Sequence, residues 1–102
     1  MSSASILEVS SQQVVLSGTI DVQNAMALKA QGEALIAKLG SQIEFDLSGV
    51  SHSGSVGVSL LLAWMRAAAA ADKEIVFLNI PSKMFDIARV SGLDDVLPLR
   101  AT

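Results

Sequence analysis

The stretch Gln42-Ile43-Glu44-Phe45-Asp46-Leu47-Ser48-Gly49-Val50-Ser51-His52-Ser53-Gly54-Ser55-Val56-Gly57 decides the fold. Its first six residues alternate, with Ile43, Phe45 and Leu47 on one side and Glu44 and Asp46 on the other, the period of a strand with one buried face. Ser48 to Gly54 is made mostly of small and hydroxyl residues and reads as a loop. Ser55 then opens a long apolar run through Leu60, Leu61, Leu62 and Trp64 to about Ala71, which predicts a helix apolar on nearly every side and therefore deeply buried.

Upstream, Ala4 to Val9 and Gln13 to Gly18 are rich in Ile, Leu and Val and are separated by Ser10, Ser11 and Gln12, as two adjacent strands would be. Asp21 is a candidate N-cap for a helix over about 22–39, with apolar positions at Ala25, Leu28, Leu35, Ile36 and Leu39 and Gly40 closing it. Downstream, Asp72-Lys73 ends the apolar helix. Glu74 to Asn79 holds the continuous run Ile75-Val76-Phe77-Leu78, a strand covered on both faces, and Pro81 prevents its extension. Ser82 is expected to cap a third helix that turns Met84, Phe85, Ile87, Ala88 and Val90 inward and stops at Gly92; Leu93 to Leu99 holds a last short extended piece. The order β-β-α-β-α-β-α plus a short C-terminal strand predicts one α/β domain over residues 1–102, a mixed sheet with helices packed against it.

Composition narrows the function. A chain of 102 residues has room for one core, and 51% hydrophobic with 17% charged residues and a mean hydropathy of +0.52 describes a well-buried globular chain. A net charge of −3 lacks the basic footprint that nucleic acid or an anionic membrane surface requires. With no cysteine, disulfides and thiolate metal sites are out. Met1 to Ser5 show no basic segment leading into an apolar one, and Val56 to Ala71 falls short of the ~20 residues of a membrane span. A cytoplasmic protein with no direct membrane insertion is expected.

A single His, a single Trp and no Tyr leave few ways to build a catalytic site, and the search narrows to the segment before the apolar helix. The spacing of Gly49 and Gly54 is that of a phosphate-binding P-loop, but Ser55 stands where the lysine belongs. Ser53-Gly54-Ser55-Val56-Gly57 misses the first glycine of a nucleophile elbow, and His52 is the one nearby base, with no carboxylate placed to orient it. A lone His makes no metal site. No catalytic residue, metal or cofactor is therefore expected. What remains is a helix cap by Ser53 or Ser55, or a regulatory switch in which phosphate on Ser55 brings about −1.5 to −2 charges to a helix N-terminus.

Three segments carry a resemblance to a known family. Leu16-Ser17-Gly18-Thr19-Ile20-Asp21 resembles the L-x-G-x-[IL]-D signature of STAS domains. Phe45-Asp46-Leu47-Ser48-Gly49-Val50 resembles the strand leading into their regulatory loop, and Ile87 to Leu99 their last helix and strand. The resemblance implies a binding role without catalysis, centred on Ser55, His52, Ser53, Gly54, Val56, Gly57, Val58 and Ser59. In the anti-sigma-factor-antagonist branch a D-S-[SA]-G loop is phosphorylated by a partner kinase; its serine aligns with Ser55 and its aspartate with Gly54, so the acid is missing. In the MlaB-like branch a hydroxyl residue holds the place of Ser55, and the chain ends soon after a segment like Val96-Leu97-Pro98. That branch implies an ABC-transporter ATPase subunit (MlaF-like) as partner, peripheral placement at the inner membrane, and a part in outer-membrane lipid asymmetry. The other implies an anti-sigma factor kinase.

Overall fold

The computed structural model describes residues 3–101, so Met1 and Ser2, part of the start read above, lie outside the described residues. Strands β1 (Ala4–Glu8) and β2 (Gln13–Ile20) are followed by α1 (Ala25–Lys38), β3 (Gln42–Ser53), α2 (Ser55–Ala70), β4 (Glu74–Leu78), α3 (Ser82–Val90) and β5 (Leu99–Arg100). The five strands form one mixed sheet in sequential order, β1 antiparallel to β2 and each later pair parallel. This is the expected architecture. Three successive crossovers return the chain to neighbouring parallel strands, and each carries a helix.

Alternation fills one face of the sheet. Val14, Phe45 and Phe77 stand side by side on β2, β3 and β4, and Leu16, Ile43, Leu47 and Ile75 extend the same face. Leu28 and Ile36 of α1, Leu61 and Trp64 of α2, and Met84 and Ala88 of α3 complete this core. Phe45 is its centre, with ring centroids 5.1 Å from Trp64 and 6.2 Å from Phe77, the latter nearly edge-on. On the opposite face Glu44 pairs with Arg100 across β4, and Ser5 with Ser17 at 2.8 Å across the hairpin.

The boundaries depart from the sequence reading where side chains were expected to act as caps. α1 begins at Ala25 rather than 22, because Asp21 caps the turn ahead of it: Asp21 Oδ1 accepts the N–H groups of Gln23 at 2.9 Å and Asn24 at 3.0 Å, while Asn24 Oδ1 accepts the Asp21 N–H at 3.0 Å. α2 and α3 have Gly54 and Pro81 at their N-caps, with no side-chain cap bond, so neither Ser53 nor Ser55 caps α2 and Ser82 is the first residue of α3 instead of its cap. Val90 is not inward but exposed, because the inward stripe of α3 ends with Ala88. Only Leu99 of the last expected piece is extended; residues 94–96 form a turn.

The C-terminal ends of α2 and α3 share one geometry. After α2, Asp72 takes φ 60°, Lys73 N–H reaches Ala68 O at 2.9 Å and Asp72 N–H reaches Ala69 O at 3.1 Å. After α3, Gly92 takes φ 74°, Leu93 N–H reaches Ala88 O at 2.7 Å and Gly92 N–H reaches Arg89 O at 3.0 Å. Both are Schellman turns, which satisfy the last carbonyls of a helix through one left-handed residue.

Candidate functional site

β3 does not end at Leu47 but runs to Ser53, so the segment read as a loop is mostly strand. The reason is two register slips against β2. Val15 to Ser17 on β2 faces Asp46 to Gly49 on β3, and Gly18 to Thr19 faces Val50 to His52, so β3 carries an extra residue each time. Bulges of this kind bend a strand and raise its twist. After Leu47 the next buried β3 residue is Val50, three positions on instead of two. The result lifts Ser51 and His52 out to solvent, leaves Ser53 half-buried, and delivers the chain to Gly54 and the start of α2.

Gly54 is exposed, holds an extended conformation (φ −101°, ψ −154°), and a Cβ added to it would meet nothing within 4 Å. Gly57 is the opposite case: a Cβ there would come within 2.7 Å of Ser53 Cβ and 3.0 Å of Met84 Cε. Its missing side chain lets the first turn of α2 seat against the end of β3 and against α3. Gly57 and Val58 are buried, Val56 is half-buried against the core, and Ser55 and Ser59 are exposed on one face of α2. The eight expected residues thus divide. Ser55, Ser59, His52 and Gly54 offer surface, Val56 and Ser53 its floor, and Gly57 and Val58 the packing beneath.

The first turn of α2 has no acidic residue and no side-chain cap, so the positive end of the helix dipole faces solvent beside Ser55. The Ser55 carbonyl accepts Ser59 Oγ at 3.3 Å, whereas the Ser55 hydroxyl and the His52 ring make no hydrogen bond among the described residues. The base and nucleophile that hydrolysis needs are not assembled. A cleft beside Ser51, His52 and Ser53, closed by Pro81, Lys83 and Met84, holds about 50 Å³, well below the roughly 300 Å³ at which small-molecule pockets begin. Among the described residues no three His, Cys, Asp or Glu side chains gather as a metal site, and no helix is long and apolar enough to cross a membrane.

Two features of this region escaped the sequence reading. A shallow groove of about 220 Å³ runs between α1 and α2 alongside Val56 and Ser59, walled by Met26, which is 79% exposed; Val22, four residues earlier, is 78% exposed. The signal is an apolar pair four apart, Val22 in the turn ahead of α1 and Met26 in its first turn, hidden because the core positions of α1 absorb the same periodicity. The second is Asp46, on the outer face of the sheet. Its Oδ1 accepts the Ser48 N–H at 2.9 Å and Asn79 Nδ2 at 3.3 Å. The Ser48 N–H holds its carboxyl below the usual carboxylate range, against a smaller opposing push from desolvation.

A family model described as "Mlab, STAS domain" matches residues 6–99. No curated protein matches the chain. Among solved structures, a chain of the Acinetobacter MlaFEDB complex in its ATP-bound Vtrans2 conformation is 30% identical, with 87% of this chain and 94% of that one covered and a TM-score of 0.77. An anti-sigma factor antagonist from Mycobacterium paratuberculosis is 25% identical over 100% of this chain and 87% of that one, with a TM-score of 0.80. Bacillus SpoIIAA in its phosphorylated form shares the fold at 22% identity and a TM-score of 0.73, covering 98% of this chain and 91% of that one.

Proposed function

Since this chain belongs to the Mlab STAS domain family, we propose that it is a non-catalytic accessory subunit that binds and regulates the cytoplasmic ATPase of an ABC transporter maintaining outer-membrane lipid asymmetry. The observation that carries this reading is Gly54. The phosphorylated loops of the antagonist branch have an acid immediately before the serine, and here that position is a glycine with open space around it. Ser55 is then a fixed interface hydroxyl at the exposed end of α2, flanked by Ser59 and His52 as a polar rim and by Val56 as an apolar floor. Such a polar edge around a small apolar centre is the layout of a modest interface. The subunit lies in the cytoplasm, held at the inner membrane by its partner. Affinity purification of the tagged chain from its native cells, with mass spectrometry of what it retains, tests this: an ABC-transporter ATPase is expected among the recovered proteins, and its absence counts against the reading.

A second reading, an anti-sigma-factor antagonist switched by phosphorylation of Ser55, is favoured by the exposure of that residue in the uncapped first turn of α2, where a helix dipole tolerates added negative charge. Incubation with the anti-sigma kinases of the same cell labels Ser55 if this reading holds and leaves it unlabelled if the first one does.

A further inference from the structure

The surface at Ser55 depends on how β3 leaves the sheet, and that path is tied at one carboxylate. At the first bulge of β3, the Ser48 N–H donates to Asp46 Oδ1, 2.9 Å away. The same oxygen accepts Asn79 Nδ2 at 3.3 Å. Asn79 immediately follows β4, takes the left-handed φ of 57°, and donates its N–H to Arg100 O at 2.9 Å; two residues later Pro81 is the N-cap of α3. One oxygen therefore joins the bulge that re-aims β3 toward α2 to the turn that launches α3. The walls of the cleft beside Ser51 to Ser53 come from these two departures, the tail of β3 and the start of α3.

We propose that Asp46 is a positioning residue: its carboxylate, held between the Ser48 N–H and the Asn79 amide, fixes the course of residues 48–57 and so the placement of Ser55 for its partner. This rests on the reading of Ser55 as the contact point. Asp46 stands on the half-exposed outer face of the sheet, away from the Phe45–Trp64 core, so its removal opens no core cavity. The consequence is local. Hydrogen bonds to an ionised acceptor are about twice as strong as neutral ones, which makes this oxygen the firm point of an otherwise interrupted ladder.

Amide hydrogen exchange on the full chain, free of any partner, tests the placement directly. Asp46→Ala is expected to accelerate exchange across residues 48–57 by about tenfold, the effect of losing roughly one charge-assisted hydrogen bond, with α1 within about twofold of wild type. Asp46→Asn keeps an acceptor oxygen but loses the charge, and is expected to restore part of the protection. Asn79→Gly removes the amide at a left-handed position that glycine accepts, is expected to give a smaller acceleration in the same segment, and carries the test if Asp46→Ala does not fold. Acceleration spread evenly over α1 and residues 48–57, or none at residues 48–57, overturns the proposal. Binding of the ABC ATPase is scored separately: failure of wild type to bind removes the partner reading and leaves the exchange result standing. Equal affinity of wild type and Asp46→Ala removes the positioning role.

Discussion

Gly32 of α1 lies against the indole of Trp64 in α2, so closely that a methyl group on it would come within 2.2 Å of Nε1 and 2.4 Å of Cε2. The indole N–H donates to Lys29 O at 3.2 Å, and the ring packs on Phe45. A glycine inside a helix costs about 0.5–1 kcal/mol relative to alanine, so propensity alone favours Gly32→Ala. Packing decides against it: overfilling a close-packed site costs about 1–3 kcal/mol. Gly32→Ala is therefore expected to lower the urea midpoint, and a midpoint at or above wild type contradicts the packing account.

Lys73 joins the end of α2 to the end of α1. Its ammonium donates to Ile36 O at 2.6 Å, Leu39 O at 2.7 Å and Ala37 O at 3.0 Å, carbonyls at the negative end of the α1 dipole. Lys73→Met keeps the apolar stem and removes the donors. A loss of about 1–2 kcal/mol in unfolding free energy is expected, given the usual worth of hydrogen bonds to charged groups. Thermal melts showing no change would mean that water serves these carbonyls equally well.

The ladder of elements was legible because their periods are clean. Ile43, Phe45 and Leu47 alternate without interruption, and Leu28 and Ile36 keep the helical spacing of α1. The tail of β3 was not legible, because each bulge shifts the phase of the alternation: after Leu47 the next inward residue is Val50, and serines and glycines between them look like loop. Serine at a helix start likewise suggested caps that the backbone does not use, since Gly54 and Pro81 occupy those positions. Of the candidate site, Ser55 and Ser59 lie exposed on α2, while the roles of Asp46, Asn79, Val22 and Met26 depend on which strands and helices become neighbours in space.

Gly54 carries a prediction of its own. It stands at an N-cap with ordinary extended dihedrals and empty space where a side chain would go. Gly54→Asp supplies a carboxylate to the uncapped N–H groups of α2 and restricts the unfolded chain, so a gain of about 0.5–1 kcal/mol is expected. Chemical denaturation measures it, and destabilisation would show that this cap position is not free.

Acid titration bears on Asp46. Folding lowers its pKa, chiefly through the Ser48 N–H, so the unfolded chain binds the proton more tightly than the native state. The stability it contributes is complete at neutral pH, begins to fade as pH falls toward about 4, and is lost below the native value. The stability gap between wild type and Asp46→Ala is expected to be widest at neutral pH and to narrow in strong acid. A gap independent of pH would show that the carboxylate charge plays no part.

In the proposed function, the exposed start of α2 meets an ABC-transporter ATPase at Ser55. Isothermal titration of the purified chain into that ATPase, comparing wild type with Ser55→Arg, tests it most directly. Ser55 is exposed, so the fold accommodates the larger side chain, at a cost of about 0.3–1 kcal/mol for a positive charge at the helix N-terminus. Wild type is expected to bind saturably and Ser55→Arg to bind at least about tenfold more weakly, the scale of a disrupted central contact. Absence of heat with wild type, or equal affinity of the two proteins, contradicts it.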